Sequence, residues 1–212
     1  MSDPSEVTKK KSGQYHHGDL RTALLRATVE LVRESGVEAF TLREAAKRAG
    51  VSSAAPYRHF PDRAALLAAV AEEGFDVLIP QLREKLEEKA GNDLGAIAAL
   101  GMTFVEFGSS HPSHFRLMYG PHLPERAAHP RLDALDQEGF GMLVQAISRA
   151  QAGGAIQGGD TREIAVVAFA LVYGAVSLYL DGEMDRIGFS KDEARRAIDS
   201  ASLYMLQGLA NR

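Results

Sequence analysis

Residues 41–60, TLREAAKRAGVSSAAPYRHF, constrain this chain more than any other stretch. Thr41 followed by Glu44 is a capping box: the threonine oxygen takes a free N–H of the first helical turn and the glutamate reaches back. Ala45, Ala46 and Ala49 give that first helix a small-residue face, which lets a second helix cross at close range. Gly50 stands where the chain must turn and where positive φ is cheapest as glycine. Ser52 or Ser53 then caps a second helix carrying Tyr57, Arg58 and His59, with Ser53 favoured because it puts Pro56 at the third helical position, where the missing N–H breaks no intrahelical bond. Two short helices about a glycine turn, the second basic and aromatic, are the layout of a helix-turn-helix.

The stretch from Thr41 to Arg63 resembles the DNA-binding domain of TetR-type transcriptional repressors, through Thr41, Ala46, Gly50, Val51, Ser52, Tyr57, Phe60, Arg63 and Leu67. The preceding helix, Asp19 to Ser35, fits the same family; Leu20, Leu24, Ala27 and Leu31 repeat at helical spacing and Gly36 ends it. The motif resemblance covers roughly residues 15–75. SHFRLMYG at 113–120 resembles a segment of a TetR subgroup that also carries a Trp…His-Gly pattern near the C-terminus; here Phe169 and Tyr173-Gly174 stand in its place.

No β pattern competes, since alternating apolar and polar runs are absent. The expected fold is all-α: an N-terminal three-helix helix-turn-helix domain over 15–62 and a C-terminal helical domain for effector binding and dimerisation over 63–212. Residues 1–14, with Lys9, Lys10 and Lys11 in a row, read as a disordered basic arm. A long helix is expected from Asp62 to Lys89, bent near Asp76–Ile79 by Pro80. Further helices are expected at 94–109, 113–120, 132–150, 161–180 and 191–210. The last two open on cap signals, Asp160 with Glu163 and Ser190 with Glu193. Gly153-Gly154 and Gly158-Gly159 bracket a loop without the lysine of a phosphate cradle.

The net charge of −4 looks wrong for a partner of DNA, but its distribution is uneven. Residues 1–63 hold 11 Lys/Arg against 8 Asp/Glu, and the remainder holds 13 against 20. Local field, not the total, decides phosphate binding. Thr41 offers its hydroxyl or backbone N–H at a helix N-terminus. The resemblance implies phosphate contacts by Tyr57 and Arg63. Ser52, Ser53 and Ala55 sit where a recognition helix meets base edges; Arg58 and His59 suit base or phosphate, and Arg43 and Lys47 phosphate.

In TetR-type repressors the C-terminal domain encloses a small-molecule pocket. Here Phe75, Met102, Phe104, Phe107, Phe115, Met118, Tyr119, Phe140 and Tyr173 are the candidate walls for a lipophilic or aromatic effector, each of them also explicable as core packing. The helix at 161–180 is apolar nearly all round, more than one core face can use, so a homodimer through the last two helices is expected. No cysteine is present. His111-x-x-His114 is interrupted by Pro112, and neither a metal nor a cofactor is expected. No nucleophile–base motif points to an enzyme. There is no run of 18 apolar residues and no secretory leader, so no membrane partner is expected and the cytoplasm is the expected location. The reading is a repressor that binds double-stranded operator DNA and is released by a small-molecule effector. A ligand-independent DNA-binding protein under a protein partner, or a helical enzyme, are the alternatives.

Overall fold

The computed structural model describes residues 17–121, 125–156 and 158–209. The basic arm at 1–14 lies outside them.

Among the described residues every element is helical. Helix α1 (His17–Ala39) is interrupted at Gly36, whose φ of 79° lies in the left-handed region, so the helix proper stops where the sequence places its end. Helix α2 (Leu42–Arg48) follows, then a 3-10 turn (Pro56–Arg58). Helix α3 (Arg63–Glu88) is capped by Asp62, whose carboxylate accepts from the Ala65 N–H at 2.8 Å. The helix runs through Pro80 without interruption. Pro80 and Asp76 are both exposed, so water can satisfy the carbonyl that loses its partner.

The core follows as α4 (Asp93–Ser110), α5 (Pro112–Tyr119), a 3-10 turn (Arg126–Ala128), α6 (Pro130–Ala152), α7 (Thr161–Leu180), α8 (Glu183–Arg186) and α9 (Lys191–Leu209). The turn at 126–128 and the one-turn α8 have no periodicity long enough to be read from sequence. At α7, Asp160 accepts from the N–H groups of Arg162 and Glu163. At α9 the capping box closes both ways, Ser190 N–H to the Glu193 carboxylate at 2.9 Å and Glu193 N–H to Ser190 Oγ at 3.4 Å.

Helix α3 ties the halves together. It packs on α1 at its start and on α4, α5 and α6 along its length. Helix α5 is a second tie: Ser113, buried at 3 %, donates its hydroxyl to the Val29 carbonyl of α1 at 3.0 Å. Helix α4 is central, in contact with α3, α6, α7 and α9.

Helix α7 is long and apolar enough to cross a membrane by length and composition alone, a possibility the run-length criterion did not reach. In this fold its Ala165, Ala168, Val172 and Val176 are buried in the bundle. Its opposite side is open: Val166 is 54 %, Val167 66 %, Leu171 46 % and Leu178 48 % exposed. On α9 the neighbouring Leu203 and Tyr204 are exposed as well.

Candidate functional site

The first surface of interest is the head formed by α1, α2 and the 3-10 turn. Leu42, Ala45 and Ala46 of α2 are buried, and α2 packs on α1. Thr41 Oγ1 accepts from Glu44 N–H at 3.2 Å, which is half of the expected box; the glutamate accepts from the Thr41 hydroxyl instead of from the backbone. Gly50, at φ 70°, closes the helix with Val51 N–H donating to the Ala46 carbonyl at 3.0 Å, the bond of a Schellman ending.

The expected second helix is not an α-helix. Ala55 N–H reaches the Ser52 carbonyl, Pro56 begins a new 3-10 turn with Ala55 as its cap, and neither Ser52 nor Ser53 caps by its side chain. Pro56 has no N–H to give the Ser52 carbonyl, which closes a tighter turn with Ala55. Pro56 itself is buried, and Phe60 closes the stretch by donating to the Pro56 carbonyl at 2.9 Å. The result is two successive turns that still present Ser52, Ser53, Tyr57 and Arg58 to solvent, with Ala55 and His59 half-buried. Tyr57 is 60 % exposed, so it is not the core aromatic that its type would suggest. Arg43 and Lys47 are exposed on α2, and among the described residues no carboxylate pairs with them or with Arg58. Arg48, by contrast, is held by Glu34 of α1 through a fork at 2.6 and 2.7 Å.

Arg63, for which the resemblance implies a phosphate contact, is bonded within the head. Its Nε donates to the Phe40 carbonyl at 3.0 Å, its Nη2 donates to the Val37 carbonyl, and its guanidinium lies 5.8 Å from the centre of the Phe40 ring. Arg63 thus clamps the start of α3 to the junction between α1 and α2.

The second feature is a cavity of about 270 Å³ inside the core. Leu78 and Leu82 of α3, Leu100 and Phe104 of α4, Phe140 and Leu143 of α6, and Phe169 and Val172 of α7 wall it. Of the expected pocket residues, Phe104, Tyr119 and Phe140 line it. The others do not. Met102 is 53 % exposed on the outer side of α4. Phe75, Phe107 and Met118 are packed inside the protein, Phe75 edge-on to Tyr119 at 5.6 Å and Phe107 stacked on His111 at 4.9 Å. Phe115 and Tyr173 border a separate cleft of about 360 Å³, where Ser35, Gly36, Val37 and Glu38 of the head face α5 and α7.

One end of the cavity carries polar groups absent from the sequence reading: Arg126 and Asp136, which form an ion pair. Arg126 also donates to the Met118 carbonyl at 3.3 Å. Asp136 could have been noticed, because it interrupts the inward stripe of α6 that runs Leu132, Phe140, Leu143. Tyr119 belongs to the same end. Its burial, and then the Asp136 carboxylate, push its pKa far above the usual phenol range against the pull of Arg126, so the hydroxyl stays neutral.

Between the head and the core lies His114, whose Nε2 is 3.8 Å from a Glu73 carboxylate oxygen, with the His111 ring 5.9 Å away. Burial lowers the His114 pKa, Glu73 raises it and His111 lowers it further. Among the described residues no group of three or more potential metal ligands comes together.

The model of bacterial regulatory proteins of the tetR family matches residues 24–70, and that of a tetracyclin repressor-like C-terminal domain matches residues 97–201. The chain is 29% identical over 100 residues to the nucleoid occlusion factor SlmA of Marinomonas sp. (strain MWYL1), a match over 47% of this chain and only 50% of that protein's length. A solved structure of a protein with unknown function from Rhodococcus sp. RHA1 is 38% identical, superposes with a TM-score of 0.74, and is matched over 94% of this chain and 100% of its own. The TetR family transcriptional regulator PfmR from Thermus thermophilus shares the fold at 18% identity and a TM-score of 0.68, over 89% of this chain and 99% of that one.

Proposed function

The chain belongs to the TetR family of transcriptional regulators, and from that premise we propose that it works in the cytoplasm as a two-fold dimer that represses from a near-palindromic operator and lets go when a small apolar effector fills its core cavity. The observation that carries this reading is the course of α3. Its first residue, Arg63, holds the head through the Val37 and Phe40 carbonyls, and its Leu78 and Leu82 are walls of the cavity. A ligand that shifts those leucines acts on the element that sets the head's position.

In this reading Tyr57, Arg58, Arg43 and Lys47 meet phosphate or base edges, together with Thr41 and the exposed Ser52 and Ser53. Ala55 and His59, half-buried, fill in behind them. The open apolar side of α7 and α9 is covered by a second copy. A C2 pairing buries the same patch twice and satisfies a face that water leaves uncompensated. Effector binding must favour a head spacing that no longer matches one DNA turn, about 34–36 Å between half-sites. By linkage, DNA then weakens the effector by the same factor.

Selection of bound DNA from a random pool with the purified protein, followed by competition of the recovered site with candidate effectors, tests the whole chain of events. Recovery of no enriched sequence removes the operator reading. Equal effector affinity with and without the operator removes the release mechanism.

A further inference from the structure

We propose that the Arg126–Asp136 pair makes the cavity selective for an apolar molecule carrying one neutral hydrogen-bonding group, such as a hydroxyl or a ketone, over anionic or cationic amphiphiles of the same length. This rests on the reading of the cavity as an effector site and specifies its ligand class.

Apart from Tyr119, Arg126 and Asp136, the side chains that line the cavity are uncharged and apolar, Leu78, Leu100, Phe104, Phe140 and Phe169 among them. A ligand therefore gains by burying hydrocarbon. Its polar end can be satisfied only where those three side chains meet. The ion pair sets the rule there. Arg126 and Asp136 are each largely shielded, with side-chain exposures of 27% and 29%, so their charges are felt strongly and compensate one another. A carboxylate brought to Arg126 arrives beside Asp136 and is repelled; an ammonium brought to Asp136 arrives beside Arg126 and is repelled. A ligand ion must also give up its water for a place whose counter-charge is already taken. A neutral dipolar group avoids both costs. Its oxygen accepts from Arg126, and a hydroxyl also donates to Asp136 while the pair stays closed. Tyr119 stays neutral, so its hydroxyl can donate to such an oxygen without adding charge.

The test uses 1-octanol, octanoate and octylammonium at neutral pH, where the last two are charged, with binding read by calorimetry on the full chain. The expected order on the wild-type protein is octanol first, with either ion weaker by about tenfold or more, or ~1.4 kcal/mol. Asp136→Asn leaves Arg126 uncompensated and should move octanoate ahead of octylammonium; Arg126→Gln leaves Asp136 uncompensated and should do the reverse. Leu143→Trp, which fills the cavity, should abolish binding of all three and so locates them. If all three bind, are lost with Leu143→Trp, and keep one rank order in the wild type and both variants, the selector is wrong while the cavity stands. If none binds to the wild type, or Leu143→Trp changes nothing, the cavity reading falls with it. The two variants probe the pair in opposite directions, so either one suffices where the other fails to fold, and a wild type that binds either ion as tightly as octanol overturns the selector with no substitution at all.

Discussion

The two ends of this molecule expose opposite chemistry. The head turns outward Arg43, Lys47, Ser52, Ser53, Tyr57 and Arg58, and keeps Leu24, Phe40 and Phe60 buried in the core that continues through the bundle. The far side of the core turns outward Val166, Val167, Leu171, Leu178, Leu203 and Tyr204. Both surfaces are incomplete, but water solvates the first at little cost and the second only at a penalty proportional to its area. The lesson is that the apolar side should be covered permanently and the polar side intermittently, which is the order of events a dimeric DNA-binding switch needs.

The largest effect expected from breaking this contrast lies on α7. Val167→Asp puts a charge on the open face at its most exposed valine and should weaken self-association by about thirtyfold or more, ~2–4 kcal/mol for an interface hot spot, measured by sedimentation at micromolar concentration. Circular dichroism should show the helical fold retained. Ala168 and Val172, equally apolar by type, are 2% and 4% exposed inside the bundle. Asp at either should instead unfold the chain, because an unpaired charge is then buried. A wild-type protein that sediments as a monomer would remove the covered-face reading altogether.

Next in size are the head's own contacts. Arg58→Ala and Tyr57→Ala should each weaken operator binding by about tenfold, ~1–3 kcal/mol for a base-edge or comparable contact. Tyr57→Phe, which removes only the hydroxyl, should act uniformly across operator variants. Unchanged affinity in a gel-shift titration of all three variants would mean that the 3-10 turn does not face DNA.

Arg63 offers a finer discrimination. With its guanidinium on the Val37 and Phe40 carbonyls, Arg63→Ala should lower unfolding stability by ~1–3 kcal/mol, as for charge-assisted bonds left unmade. It should leave the salt dependence of DNA binding unchanged. If Arg63 instead swings to phosphate in the complex, the slope of log affinity against log salt should fall by about one phosphate's worth, ~0.9. The two outcomes separate a clamp within the head from a contact outside it.

The smallest expected effect is a pH dependence at the joint between the two regions. The His114 pKa is lowered on folding, chiefly by burial. The unfolded chain therefore takes up this proton more readily than the native protein. The stability from keeping His114 neutral is present above its unfolded pKa near 6.5 and is lost as pH falls below it toward the lower folded value. Melting temperature should decline as pH falls through and below 6.5, and His114→Gln should flatten the decline. An unaltered profile in the variant would assign the titration to other groups.

How much of this was legible beforehand follows from the range of each interaction. Caps are local: Thr41, Asp62, Asp160 and Ser190 accept the bonds of the turns they precede. Helical periodicity is local as well, so most helices could be delimited within a few residues. Pro56 was visible but its consequence was not. The serines looked like caps, while a prolyl nitrogen without hydrogen left Ser52 to close a turn with Ala55. The candidate cavity was the least legible part. Phe104, Tyr119 and Phe140 line it, but Met102 faces outward and Phe107 is stacked on His111. Residue type identifies an aromatic side chain without saying whether it fills a core or borders a void.

Local pattern was enough for most helices of the described residues, for a head built about Gly50, and for a penultimate long helix too apolar for one face. These depend on φ/ψ preference, capping and periodicity, which act over four or five neighbouring residues. Only the tertiary structure decided which apolar residues of α7 are inside, that Arg63 is folded back on two carbonyls, and that Arg126 and Asp136 meet at the end of a cavity. Those outcomes depend on the rotation and crossing of helices far apart in sequence. A side chain's role there is set by what lies across from it, and no local pattern carries that information.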